Sequence, residues 1–326
     1  MPTNNKRKRT GRGGALLAVL WLSAALAAIA FSVSATVRAE TERVSTAADG
    51  LRAWYLATGS VERGIQWMLW GPLYRNPNGS PRFWEPNLPR MYMSFPSGDA
   101  IVEMIPESSK LNVNSAPPDL LYRVVLAVAG DEARATEITT GILDWRSGGP
   151  APSLGFESTF QPRHASLEEI EELLLVRGMT PELFYGNYLA DAGGHLSARG
   201  GLRDCLSVWG SAGPFDANTV SPALLEALGV PPEGVAAITA HRRVQPFHTL
   251  GEVVELGFPI PRLSVGGNVI WTLRGTARLR RADGSPSEVV RTAAAVVKLV
   301  DPRRYLTPLH ILRWYDDAWS QEAIAP

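Results

Sequence analysis

Apolar and polar positions divide this chain into stretches with different periods. From Gly13 to Val37 no side chain carries a charge, a run of 25 residues. As a helix it would extend roughly 37 Å, enough to cross a hydrocarbon core of about 30 Å with some tilt. Beyond Val37 the pattern turns amphipathic. Val44, Ala48, Leu51, Tyr55, Thr58, Val61, Ile65 and Met68 recur every three or four residues and predict one buried seam. Arg38, Glu40, Glu42, Arg43, Arg52, Glu62 and Arg63 fill the other faces. Gly50, Gly59 and Gly64 weaken such a helix without stopping it, and Gly71-Pro72 ends it. One helix over residues 15–70 would be roughly 80 Å long.

After this helix the period changes. Residues 72–99 are rich in Pro, Gly and Asn and read as loop, and Ala100-Ile101-Val102-Glu103-Met104-Ile105 reads as a short strand. Far downstream, Val269, Trp271, Leu273, Ala277 and Leu279 alternate with Thr272, Arg274, Thr276, Arg278 and Arg280. Asp283-Gly284 is a turn signal, and Val289 to Leu299 is the return strand. An early strand and a late hairpin around a long middle predict one antiparallel sheet with a large insertion.

The middle, residues 112–262, reads as all-helical and repeats itself. Asn114-Ser115-Ala116-Pro117-Pro118-Asp119-Leu120-Leu121 matches Asn218-Thr219-Val220-Ser221-Pro222-Ala223-Leu224-Leu225. Ile142-Leu143-Asp144-Trp145-Arg146 corresponds to Ile238-Thr239-Ala240-His241-Arg242. Ser166-Leu167-Glu168-Glu169-Ile170-Glu171-Glu172-Leu173 echoes Thr249-Leu250-Gly251-Glu252-Val253-Val254-Glu255-Leu256. Three blocks in the same order predict a duplicated helical unit, at about 112–190 and 214–262. In this reading Asn, Ser or Thr caps each helix, Pro suits its opening turn, and leucines begin the buried face. The predicted organisation is a basic leader (1–13), a transmembrane helix (14–37), a helix continuation with loop and first strand (38–111), the insertion (112–262), and a closing hairpin and tail (263–326).

Composition narrows the function. The 326 residues carry 32 basic and 32 acidic side chains. Lys6, Arg7, Lys8, Arg9 and Arg12 precede the first acid, Glu40, so the remainder is mildly acidic and offers no chain-wide basic surface to nucleic acid. The leader cations favour a cytoplasmic N-terminus and place the chain beyond Arg38 on the far side of the membrane. Cys205 is the single cysteine. It allows no intrachain disulfide and no cysteine-rich zinc site, and it is expected to be buried.

The repeats resemble helix-hairpin-helix (SAM-like) units, which hold phosphate on backbone amides at a helix start. Here the turn reads Gly229-Val230-Pro231-Pro232-Glu233-Gly234. Its prolines remove donors and Glu233 repels an anion, so Arg242 and Arg243 stand without a cradle and a packing or protein-contact role is favoured. His164, His195, His241, His248 and His310 show no ligand spacing. No nucleophile elbow, Walker loop or dinucleotide fingerprint is present, so no catalytic residue is assigned. Asp144 reads as a structural carboxylate paired with Arg146. Trp67, Trp70, Tyr74, Phe83 and Trp84 read as core.

The N-terminal segment admits several readings. A cleaved secretory signal would have an apolar region of about 7–15 residues, with Ser32-Val33-Ser34-Ala35 as its nearest approach to a cleavage site. A plain signal anchor fits the apolar run without further features. The third reading rests on Arg12-Gly13-Gly14-Ala15-Leu16-Leu17, where glycine marks the junction of leader and helix. This resembles the prepilin peptidase site of type IV pilins and type II secretion pseudopilins, with cleavage after Gly13 or Gly14. The fifth mature position, Glu in most pilins, would be Ala18 or Val19, and is apolar in either register.

Taken along its whole length, the chain resembles the general secretion pathway protein K family of minor pseudopilins. The resemblance rests on the glycine junction, the absent Glu, Lys110-Leu111-Asn112-Val113-Asn114-Ser115-Ala116, Ile142 to Arg146, Gly178-Met179-Thr180-Pro181-Glu182-Leu183-Phe184, the second Asn-Thr block and the late strands. It implies an α+β, pilin-like fold: a long N-terminal membrane-spanning helix packed on an antiparallel sheet, with a large α-helical insertion. It further implies a non-enzymatic, single-pass inner-membrane protein with a periplasmic domain at the pseudopilus tip. The implied partners are other minor pseudopilins of the I and J types, the prepilin peptidase and the inner-membrane assembly platform; nucleic acid is not expected. The family also binds calcium, which takes about six to eight oxygen ligands. Here Arg146-Ser147-Gly148-Gly149 and Gly155-Phe156-Glu157-Ser158-Thr159 replace its acid-rich stretch, and no ligand or cofactor is assigned. The competing reading is a membrane-tethered helix-hairpin-helix protein that binds DNA.

Overall fold

The computed structural model describes residues 12–147, 163–190, 196–259, 262–301 and 303–318. The chain opens with helix α1 (Arg12–Trp70) and then forms β1 (Arg90–Phe95) and β2 (Gly98–Pro106). A 3-10 turn (Glu107–Ser109) leads into β3 (Leu111–Asn112), α2 (Pro118–Ala129), α3 (Glu132–Arg146), a second 3-10 segment (Ile170–Leu175) and α4 (Pro181–Tyr185). Next come β4 (Gly186–Ala190), β5 (Leu196–Gly200), α5 (Leu202–Cys205), β6 (Leu206–Ser207) and β7 (Phe215–Asp216). The helices α6 (Pro222–Ala227), α7 (Pro232–Val244) and α8 (Leu250–Val254) precede β8 (Leu263–Ser264). The chain closes with β9 (Ile270–Arg280), β10 (Pro286–Leu299) and β11 (Leu309–Tyr315).

Two compact units emerge, Met1–Arg52 and Ala53–Pro326. In the first, α1 exposes its apolar side chains: Leu16, Leu20, Trp21, Leu26, Ile29 and Phe31 are all more than half accessible. An 18-residue window there has a mean hydropathy of 2.4, so by length and composition the helix can cross a membrane.

The second unit is built on a five-stranded antiparallel sheet in the order β1-β2-β9-β10-β11. The pairing of β2 with β9 sets Met104 opposite Leu273 and Ala100 opposite Ala277, across the whole insertion. The last part of α1 lies on one face of this sheet. Ala53, Leu56, Ala57, Val61 and Met68 pack there with Val102, Met104, Leu273, Ala293, Ala295 and Val297. A separate core from Leu111 to Leu263 fills the insertion. Each fully buried large aliphatic side chain contributes about 1.5–3 kcal/mol relative to exposure.

The expected seam of α1 holds at Val61, Ile65 and Met68 but not at its earlier positions. Val44, Leu51 and Tyr55 are 60%, 56% and 63% exposed, while Ala53, Ala57 and Ser60 are fully buried. The reason lies in the sheet. A Cβ on Gly275 would overlap Ser60 Oγ and stand 2.8 Å from Val61 Cγ2 and 2.9 Å from the Ala57 carbonyl oxygen. At Gly275 helix and strand touch too closely for large side chains, so small residues, Ala57 and Ser60, stand at this point, while Leu56, Val61 and Met68 fill the same core.

The expected loop 72–99 contains a strand, β1. Met91 and Met93 are 4% exposed and Tyr92 is 72% exposed, the alternation of a half-buried edge. Between Pro89 and Pro96 that alternation is too short to stand out. The insertion is predominantly helical, but β4 pairs antiparallel with β5, and β3–β6 and β7–β8 form parallel two-residue ladders. These ladders satisfy buried backbone groups beside Leu111, Leu206, Phe215 and Leu263.

Candidate functional site

Gly13, Gly14 and Ala15 lie in the opening turns of α1, and Ala18 and Val19 one turn further. A Cβ added at Gly14 would meet no atom within 4 Å, and Ala18 and Val19 are exposed. Two adjacent glycines, each costing a helix about 1 kcal/mol relative to Ala, make this turn the easiest part of α1 to unwind. The leader residues before Arg12 lie outside the described residues.

Past the apolar segment, polar chemistry concentrates where the insertion meets the face of the sheet opposite α1. Arg274 on β9 grips Glu103 on β2 through two bonds, Nε to Oε2 at 2.6 Å and Nη2 to Oε1 at 2.9 Å. Both side chains are largely buried, at 18% and 10% exposure. Glu107, which is 2% exposed, accepts from Thr272 Oγ1 at 2.6 Å and from Ser207 Oγ of the insertion, with Lys110 Nζ at 3.3 Å. Removing one partner of such a buried pair costs about 3–5 kcal/mol, because the other charge stays buried. The seam therefore fixes the insertion on the sheet. It was missed in the sequence, although Glu103 inside an apolar strand and Arg274 in the alternating one were its signals.

A second clamp sits at the far end of the insertion. Asp216 on β7 accepts from Thr219 Oγ1 at 2.6 Å and from the Gly266 amide at 3.1 Å. Burial raises its carboxyl above the usual value, against the pull of these donors and of Arg242. Arg242 Nη1 donates to the Val220 and Ala217 carbonyls at 2.7 and 3.2 Å. Burial lowers its guanidinium to about 10.

The duplication is visible in side-chain roles. Arg146 repeats Arg242: its Nη1 and Nη2 donate to the Val113 and Ala116 carbonyls at 2.7 and 2.6 Å. Asn114 exchanges two bonds with the backbone of Leu167, and Asn218 does the same with Phe247. These asparagines are cross-links, not the expected helix caps; in the second unit Ser221 caps α6 by accepting from the Leu224 amide. The same bonds correct the third repeat block by three residues. Leu167 corresponds to Phe247, and Glu172, which accepts from the Glu168 amide, corresponds to Glu252, which accepts from that of His248.

Asp144 is not paired with Arg146, whose guanidinium is committed to the carbonyls above. It lies 3.8 Å from His164 Nδ1. One carboxylate beside an imidazole is not an oxygen-rich calcium set. No cluster of three or more His, Cys, Asp or Glu side chains able to hold a metal occurs among the described residues. Residues 148–162 of the loop lie outside them. In the hairpin turn, α7 begins at Pro232 after Pro231, so two positions lack amide donors. Gly234 is there for packing, since a Cβ would stand 2.9 Å from the Phe258 ring. Cys205 is 1% exposed, as expected, and its Sγ lies 3.1 Å from Ser221 Oγ. Of the aromatic run, Trp84 is fully in the core, edge-on to Trp271 at 5.1 Å, and Trp67 packs against that core part-buried. Trp67, Trp70, Tyr74 and Phe83 form a part-exposed cluster.

No family model and no curated protein matches the sequence. Among solved structures, a chain of the GspK-GspI-GspJ complex from the enterotoxigenic Escherichia coli type 2 secretion system is similar at 16% identity. The match covers 86% of this chain and 100% of that one, with a TM-score of 0.49.

Proposed function

We propose that this chain is a non-enzymatic minor pseudopilin of a type II secretion machine. It is anchored in the inner membrane by α1 with its second unit in the periplasm. It works at the tip of the pseudopilus with other minor pseudopilins of the I and J types, helping folded proteins to cross the outer membrane. The observation that carries this reading is that a helical insertion leaves and rejoins one sheet, between β2 and β9, whose other face is covered by a helix continuous with an apolar N-terminal segment. Such an insertion would obstruct further stacking above this subunit. An apolar fifth position, Ala18 or Val19, leaves no carboxylate to neutralise a neighbouring subunit's amine within the membrane. The buried polar seam suits a rigid contact module better than a nucleic-acid reader, because the hairpin turn lacks the amides that would hold phosphate.

Co-expression with a prepilin peptidase tests the proposal. N-terminal sequencing should find a mature chain beginning at Gly14 or Ala15. An intact N-terminus, together with salt-sensitive DNA binding by the protein, would overturn it in favour of the tethered DNA-binding reading.

A further inference from the structure

Between the insertion and the outer face of the sheet lies a cleft of about 400 Å³, within the range of small-molecule sites. Its wall is rich in cations, and most have local partners. Lys110 is with Glu107, Arg274 with Glu103, and Arg203 with Glu171 at 3.4 Å. Asp204, also on the wall, accepts from the Gly201 amide at 3.1 Å.

One corner differs. Arg242 and Arg243, in the last turn of α7, face the cleft. Arg242 uses only Nη1 on protein groups, which leaves Nε and Nη2 undonated among the described residues. Arg243 is exposed and forms no ion pair among the described residues. One turn back along α7, Thr239 Oγ1 is buried on the same wall without a hydrogen-bond partner. Arg90 and Arg243 both push the Arg242 guanidinium down, and only Asp216 opposes them. Arg243 thus stands beside a part-buried guanidinium with unused donors and beside an unpartnered hydroxyl, an arrangement that suits an anion.

We propose that this corner binds a small organic polyanion, bearing two or more phosphate or carboxylate groups, through Arg242, Arg243 and the Thr239 hydroxyl. Two guanidinium groups can each engage a separate anionic group. The guanidinium forks suit either group, and Thr239 adds one neutral donor.

The test uses the full chain in detergent, titrated calorimetrically and by thermal shift with inorganic pyrophosphate and with citrate. Saturable binding of either, with a rise in melting temperature, is expected, and the preferred probe tells phosphate from carboxylate. Arg243→Gln should weaken binding about tenfold while leaving the unliganded melting temperature unchanged. Thr239→Val should weaken it by less. Absence of saturable binding by both probes at millimolar concentration overturns the proposal, as does equal affinity in Arg243→Gln, which would mean an adventitious ion only. Preference for duplex oligonucleotide over both probes would overturn it in favour of nucleic acid.

Discussion

Replacing Asn218 with alanine tests how the second repeat is held, and the cost can be worked from its two bonds. Asn218 Nδ2 donates to the Phe247 carbonyl at 2.9 Å, and the Phe247 amide donates to Oδ1 at 2.8 Å. Asn218 is 6% exposed and Phe247 is fully buried, so truncation leaves both backbone groups of Phe247 without water. Two net bonds at about 1 kcal/mol each, plus the desolvation penalty of the orphaned groups, give a loss of about 3–5 kcal/mol. Asn114→Ala removes the same two bonds, to Leu167 at 2.9 and 2.8 Å. Asn114 is only part-buried, so water can replace it and the expected loss is about 1–2 kcal/mol. Asn218→Asp keeps one acceptor but buries a charge, and should be no better than alanine. The assay is thermal unfolding of the full chain in detergent, with amide hydrogen exchange at Phe247 and Leu167 as the local readout. Equal losses for the two alanine variants, or undiminished protection of the Phe247 amide in Asn218→Ala, would refute the reasoning.

Gly275→Ala should destabilise the second unit by about 1–3 kcal/mol through overpacking, with partial rescue by Ser60→Ala, which removes the hydroxyl that the new methyl would overlap; a melting temperature at or above the parent's would contradict this. Burial raises the Cys205 thiol to about 12, so the folded protein should resist a thiol reagent at pH 8 and react only when unfolded; stoichiometric labelling of native protein would count against it. Asp99 is held below the usual carboxylate value by its bonds to Ser94 and Arg280. The stability it adds is present above the unfolded value of 3.8 and disappears as pH falls through the lower folded value. Asp99→Asn should therefore flatten the acid limb of the stability curve, and an unchanged limb would show that the pair contributes nothing.

The apolar segment, the amphipathic continuation, the late hairpin and the duplication could all be read in the sequence, because each is set by a period several residues long. The failures have a common cause in contacts between distant segments. The α1 seam followed bulk, yet the sheet approaches at Gly275, some two hundred residues away, and selects Ala57 and Ser60. The third repeat block shifts by three residues because its acidic run, Glu168, Glu169, Glu171 and Glu172, offers several alignments with Glu252 and Glu255. Only the amide that each carboxylate accepts, at Glu168 and at His248, fixes which is equivalent. Asp144 and Arg146 are neighbours on one helix, but Arg146 has buried carbonyls at Val113 and Ala116 to satisfy, and these take its guanidinium.

The polar seam between sheet and insertion stands between these cases. Thr272, Arg274 and Thr276 alternate with core residues, a pattern that fits a solvent-facing side as well as a polar interface. The strand beside them carries the deciding clue. Thr292 to Val297 on β10 are six consecutive buried residues, which means that both faces of the sheet are covered at that point. Register then does the rest. Ala294 pairs with Arg274 and Val296 with Thr272, so the polar side of β9 shares its face with buried β10 side chains and must lie under cover. A polar residue under cover needs a partner. Glu103, directly across from Arg274 in the β2–β9 register, and Glu107, at the start of the insertion, are placed to provide one. The continuous buried run on one strand thus turns the alternation on its neighbour from a water-facing surface into the interface that seats the insertion.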